Sequence, residues 1–334
     1  MSFGNPAASL GFVGWVKLST MSKLLRVTSC DVSAKQTIDQ EEVVDSRFDR
    51  SVYKLNPIEI GGNISLPAIM EATSPVSAIP ATSIGDFIWN SAAYRDGNGK
   101  LVPFDILVAY TNQPNTVFEY KNCIVDTCEF TMQESQTITL NMGVIGRSRA
   151  AGGTKTNSPP GMEKTNEPPA RAAVWSDGFV NIEIHAAGGG VTTLITGDAV
   201  RQFNCSLSNN SNRYYTLNGK LFPQDIAPTK RDVTGQLTFM GRIQGIADHA
   251  FTNQERCSEK SSINFGYNAN TAGNPHSDAG CGENFNVTLP NTVFEIEELA
   301  ITNELFETSM NYRSFPGSGV QAMDADPLVS KTSI

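Results

Sequence analysis

The sequence predicts a mainly β protein built as two tandem units. Short apolar alternations of strand length recur along the chain, punctuated by 28 Gly and 17 Pro. Charged residues make up only 18%, against roughly 25% in a typical soluble protein. Such charge poverty, with many Ser, Thr and Asn, suits a β-rich protein whose surface is largely covered by neighbours. The third observation is a stretch written twice. Asn115-Thr116-Val117-Phe118-Glu119 returns as Asn291-Thr292-Val293-Phe294-Glu295, an offset of 176 residues.

Two fainter echoes are collinear with it. Cys30 aligns with Cys205 at an offset of 175, and Gly11-Phe12-Val13 with Gly178-Phe179-Val180 at 167. The period is far longer than that of solenoid repeats, so the reading is two fused domains. With 334 residues, each can bury its own core. The expected divisions are an N-terminal arm (1–25), a first domain (26–147), a linker or exposed loop (148–172), a second domain (173–315) and a tail (316–334).

The arm is small, apolar and poor in charge, with one strand from Phe12 to Lys17 that suits docking. Arg26 to Val32 reads as a strand, and the acidic stretch Gln40 to Tyr53 as a long loop. Ile58 to Ala68 alternates, with a bulge expected at Gly61-Gly62. Ser83 and Asp86 make a capping-type start, and Ile84, Phe87, Ile88 and Ala92 follow at helical spacing. Strands follow at Phe104–Tyr110, Thr116–Cys123 and Thr127–Met132. The cleanest is Gln136–Val144, with Ile138, Leu140, Met142 and Val144 on one face. Arg147 to Arg171, holding Gly152-Gly153 and two Pro-Pro pairs, reads as the break between units.

The second unit repeats the plan. Phe179–His185 and Val191–Ile195 flank three glycines as a hairpin. Arg201–Leu207 and Gly235–Met240 are strands, and Ile246–Arg256 is a second helix. Asn264–Tyr267, Asn286–Leu289, Thr292–Leu299 and Leu305–Tyr312 are strands, and the Gly/Ser-rich tail from Pro316 is loose.

No catalytic constellation emerges. The sequence holds no nucleophile elbow, dinucleotide fingerprint or phosphate loop. His185, His249 and His276 fall on different elements, and Cys257, His276 and Cys281 match no standard zinc spacing. The six cysteines form no CxxC pair and read as reduced core thiols. The expectation is therefore no enzyme, no cofactor and no metal. A net charge of −9 argues against tight binding of nucleic acid. No stretch is apolar enough to span a membrane, and Leu10–Val16 lacks the charged flank of a secretion signal.

Three stretches resemble the major tail tube proteins of long-tailed bacteriophages. They are Val43–Ile69 (VVDSRFDRSVYKLNPIEIGGNISLPAI), Thr116–Ser148 (TVFEYKNCIVDTCEFTMQESQTITLNMGVIGRS) and Leu289–Pro316 (LPNTVFEIEELAITNELFETSMNYRSFP). The resemblance runs from about Arg26 to Phe315. It implies a β-sandwich or half-barrel with one flanking helix per domain. Six such domains close a ring and rings stack into a hollow tube. Most members carry one domain per chain, so two in one chain imply trimeric rings with pseudo-sixfold symmetry.

The implied role is a virion tail protein, assembled in the host cytoplasm, whose tube carries phage DNA through its lumen at ejection without binding it specifically. The implied partners are further copies of itself and other tail proteins: terminator, baseplate, tape measure and, where the tail carries one, a sheath. A capsid or baseplate β-protein and a carbohydrate-binding module share the composition. The module would need an aromatic groove, and Trp15, Trp89 and Trp175 are scattered.

Period-two alternation divides the repeated stretch into faces. Phe118, Tyr120, Phe294 and Ile296 fall on one as core anchors, and Glu119, Lys121, Glu295 and Glu297 on the other. In a ring, Glu119, Glu295 and Glu297 are candidates for the channel wall, where acids repel passing phosphates. The alternative is an outward solvated face. Residues 1–25 and the linker are candidates for contacts that order when rings stack, or for plain surface segments.

Overall fold

The computed structural model describes residues 14–21, 24–41, 52–69, 83–110, 116–154, 172–185, 191–195, 199–241, 260–268, 284–295 and 307–315. The chain is mainly β. Its strands are β1 (Gly14–Leu18), β2 (Ser29–Cys30), β3 (Ser33–Lys35), β4 (Ile38–Glu41), β5 (Val52–Leu55) and β6 (Glu59–Pro67). After helix α1 (Ile84–Ala93) come β7 (Phe104–Tyr110), β8 (Thr116–Gln133), β9 (Thr139–Gly146) and β10 (Ser148–Thr154). The later strands are β11 (Gly178–His185), β12 (Val191–Ile195), β13 (Val200–Ser208), β14 (Asn212–Tyr214), β15 (Asp225–Ala227), β16 (Asp232–Met240), β17 (Lys260–Asn268), β18 (Asn284–Phe294) and β19 (Glu307–Ser314).

Fifteen strands form one curled, half-barrel sheet in the order β12-β11-β17-β18-β19-β16-β13-β8-β9-β6-β2. Strand β8 is the hinge of this sheet. Its first half pairs with β7 and β10, its second half with β9 and β13, and β1 extends the β7 edge. The same order is written twice, as β1-β7-β8-β9-β6-β2 and as β11-β17-β18-β19-β16-β13.

Registers repeat with the order. Ser33 pairs with Gly61 and Ser206 with Thr234, each partner 173 residues further on (206 − 33 and 234 − 61). The two small hairpins obey the same shift: Gln40 faces Tyr53 in β4–β5, and Arg213 faces Ile226 in β14–β15. A Cβ on Gly62 would press on the Asp31 carbonyl, and one on its counterpart Gly235 on the carbonyl of Asn204, which is the counterpart of Asp31. Gly62, at φ 154, can make this close approach where other residues cannot. Asn122 and Asn291 both take φ 51 where β8 and β18 change partners, an offset of 169.

The pentapeptide does not mark this structural repeat. Thr116–Glu119 opens β8, whereas Thr292–Phe294 closes β18. Cys30 is the counterpart of Phe203, and Val32 that of Cys205, two residues from the alignment suggested by the cysteines.

Several further expectations shift. The first seven residues assigned to the linker, 148–154, form β10, because the free edge of the long β8 strand offers them a ladder to pair with. The expected loop Gln40–Tyr53 begins and ends inside the β4–β5 hairpin. No bulge occurs at Gly61-Gly62; β6 pairs with β9 without a break from Ile60↔Gly146 to Pro67↔Thr139. The strand expected to dock from the arm is present as β1, displaced by one or two residues, and pairs with β7 with Val16 and Leu18 fully buried. The second helix expected at Ile246–Arg256 lies outside the described residues.

The main core is one cluster shared by both halves, with a small second cluster of Leu101, Ile124 and Ile226 beside it. Phe130 lies 5.1 Å from Phe265 and 5.5 Å from Phe285, and Phe203 packs 4.6 Å from Phe265. Helix α1 is buried along its whole length, which accounts for its apolar and small residues. The Ser83 hydroxyl accepts from Asp86 N–H at 3.1 Å to cap its start. Its last carbonyls take donors from the C-terminal half: Asn209 Nδ2 to Ala92 O at 2.8 Å, and the Arg231 guanidinium to Ala93 O.

Candidate functional site

The apolar residues of each strand turn to this core, which leaves the opposite face of the sheet to polar side chains. On β13 these are Gln202, Asn204 and Ser206; on β8, Glu129 and Thr131; on β9, Thr139 and Asn141. Beyond β13 the face continues through Thr234 and Gln236 on β16 and Ser309, Asn311 and the exposed Arg313 on β19. It therefore runs without interruption across the seam where the two halves join.

These side chains bond to one another across strands. Asn204 Nδ2 donates to Glu129 Oε1 at 2.6 Å, and Asn141 Nδ2 donates to Glu129 Oε2 at 3.3 Å. Gln236 Nε2 donates to Asn311 Oδ1 at 3.3 Å, and the hydroxyls of Thr238 and Ser309 lie 3.1 Å apart. The amides hold Glu129 in place and satisfy its oxygens. At the margin, Arg201 is tied to Glu134 at 2.7 Å. The surface is wettable, and its few cations leave little with which to grip a phosphate.

At one end of this face Asp31, Glu59, Asp126 and Arg213 line a groove of about 400 Å³. Lys35 also lines it, and three of these charges are engaged by the fold. Asp31 accepts from Asn63 N–H, Asp126 accepts from Ser211 N–H at 2.8 Å, and Arg213 donates to Ile60 O at 2.9 Å. Among the described residues no group of three or more His, Cys, Asp or Glu could hold a metal ion, and no helix is long and apolar enough to cross a membrane.

The buried thiols are not poised as nucleophiles. Burial pushes Cys123 and Cys205 up to about 12 and Cys128 higher still. Cys257 and Cys281 lie outside the described residues.

A sequence model of one family, described as phage tail tube protein, matches residues 9–295. The chain belongs to the phage tail tube protein family. No curated protein matches it. Membership makes it a structural component of the virion tail, in a family whose members assemble with themselves and with other tail proteins.

In this tail tube protein the acids singled out from the sequence have different surroundings. Glu119 stands in the first half of β8, 2.7 Å from Lys121 Nζ, which also reaches Asp105 at 3.2 Å. Those two carboxylates, Glu119 first, raise the Lys121 pKa above its ordinary value. Glu295 is exposed at the end of β18, and its N–H donates to Asn311 O at 2.8 Å. Glu297 and Ile296 lie outside the described residues.

Tyr120 and Phe294 are buried, and Phe118 is partly buried against the core beneath the Arg149 guanidinium at 4.8 Å. The neutral amides Asn141, Asn204, Gln236 and Asn311 were missed. The alternation places them on the polar face, but nothing in uncharged residues separates a functional surface from ordinary solvated strand.

Proposed function

We propose that this chain polymerises into the hollow tail tube through which phage DNA passes into the host, with the polar sheet face as the channel wall. The observation that carries this reading is the continuous, hydrogen-bonded polar face spanning both halves, on which Glu129 and Arg313 stand among neutral amides and hydroxyls. DNA sliding along such a wall meets hydrogen-bonding groups already paired with one another and few cations to hold it. Family membership and the curled sheet support the same reading.

The doubled strand order supports two tandem tube domains, bounded near 26–147 and 173–315, so that three chains supply six domains to a ring. Closure of the ring covers sheet edges that would otherwise template aggregation. Glu295 and Glu297 add negative charge to the channel, while Glu119, balanced by Lys121, contributes least. The tube meets terminator, baseplate and tape-measure proteins at its ends and in its lumen, and is built in the host cytoplasm.

Electron microscopy of the purified protein tests this directly. Hollow tubes of stacked rings are expected. A protein that stays monomeric at every concentration and ionic strength overturns the proposal.

A further inference from the structure

The chain contains one junction between its two halves, and the geometry points to a second copy of that junction between chains. Within the chain, the C-terminal half docks on the N-terminal half in two ways. Strand β13 pairs with β8 from Gln202↔Gln133 to Ser208↔Thr127. The β14–β15 hairpin then folds over the neighbouring unit, burying Ile226 against Leu101 and Ile124, with Lys100 and Asp225 paired at 2.6 Å beside it.

The repeat registers name the counterparts of these groups. Strands β2 and β3 stand for β13, the β4–β5 hairpin for β14–β15, and Tyr53 for Ile226. Val293 stands for Ile124: Ile124 faces Ile145 across β8–β9, and Val293 faces Arg313 across β18–β19. Ile226 and Ile124 are 7% and 4% exposed, whereas Tyr53 and Val293 are 66% and 42% exposed.

Two apolar side chains therefore stand uncovered at the two positions where the other half shows a buried contact. The hairpin that carries Tyr53 also exposes Ile38 (62%) and Leu55 (43%). A two-stranded hairpin of this kind is marginal in water without a surface to pack on. Strand β2 likewise ends its sheet, with no partner on its outer edge among the described residues.

The occupant is a second copy of this chain. The β4–β5 hairpin and the β2–β3 edge of one copy seat on the C-terminal half of the next, with Tyr53 against Val293. Because the C-terminal half docks on the N-terminal half inside the chain, the N-terminal half of each chain docks on the C-terminal half of its neighbour. The contact then propagates in one rotational direction and closes with a whole number of chains. This rests on the tube reading for the existence of a ring, and adds which surfaces meet and in what register.

The test uses full-length protein carrying Tyr53→Cys and Val293→Cys together, each single variant, and wild type. Assembled protein is treated with a short bismaleimide and separated on denaturing gels. The double variant is expected to yield linked dimers and a closed ladder, and the single variants and wild type none beyond background. Tyr53→Glu is expected to lower ring yield at least about tenfold. The monomer's unfolding midpoint should be unchanged, because Tyr53 is exposed there.

Rings that form without a cross-link specific to the double variant, or that tolerate Tyr53→Glu, overturn this contact and leave the tube reading standing. Failure of the wild-type protein to form rings overturns both.

Discussion

Phe265→Ala probes the claim that the two halves share one core. Phe265 belongs to β17 in the C-terminal half, yet its ring lies 5.6 Å from Trp89 of α1 and 5.1 Å from Phe130 of β8. It also lies 4.6 Å from Phe203 and 6.2 Å from Phe285, and is fully buried. Truncation removes the transfer energy of the ring and leaves a cavity walled by four aromatic residues that cannot all move inward. The expected cost is about 3–5 kcal/mol. With a urea dependence of about 3 kcal/mol per molar for a chain of this size, the midpoint should fall by about 1 M or more. Urea unfolding of dispersed protein, followed in parallel by tryptophan fluorescence and far-ultraviolet circular dichroism, makes the measurement. Both probes should shift together, since Trp89 reports the N-terminal half and the substitution lies in the other. A shift under about 0.3 M, or a tryptophan transition left in place while the dichroism moves, refutes the shared core.

Other expectations follow from the same geometry. Gly235→Ala would drive a Cβ into Asn204 O and the Tyr312 ring, so it should cost about 1–3 kcal/mol by thermal unfolding. A neutral result would mean that the β13–β16 contact is looser than described. Cys123 and Cys205 have folded pKa values raised by burial to about 12 from 9.0. Their preference for the neutral thiol is thus fully present below pH 9 and is lost as pH climbs from 9 towards 12. Replacing both with Ala should flatten the alkaline fall in stability across that window, and an unchanged slope would show that the thiols do not contribute to it. Thr131→Cys, in assembled tubes, should react with a small maleimide and resist one carried on a bulky polymer. Equal reaction with both would place the polar face on the outside.

Much of this architecture was legible because the strands alternate cleanly. Ile138 to Val144 reads as a two-faced strand, and Ser83 with Asp86 announces the start of α1. Other parts were silent for physical reasons. Strand β10 is mostly Ser, Ala and Gly, whose weak strand preference is overridden by the long β8 edge beside it. The acidic residues of β4 read as loop because the apolar residues of that hairpin are exposed rather than periodic towards a core.

The structural repeat itself was almost invisible. From Ser29–Pro67 to Gln202–Met240 the offset holds at 173, yet only Ser33/Ser206 and Gly62/Gly235 keep the same residue. Backbone pairing conserves burial and close approach, and many side chains satisfy those demands. The repeated pentapeptide, by contrast, is a chemical echo on strands at non-equivalent positions. The polar face could be located by period but not weighed, because amides and hydroxyls on a strand look alike whether the face meets solvent or a partner.

The most direct test of the central claim is the rotational symmetry of the assembled tube, measured by cryo-electron microscopy of purified protein. Three chains per ring, six tube units around the channel, and Asn204, Glu129 and Asn141 facing the lumen are expected. Six chains per ring, or a channel lined by the opposite face of the sheet, would contradict it.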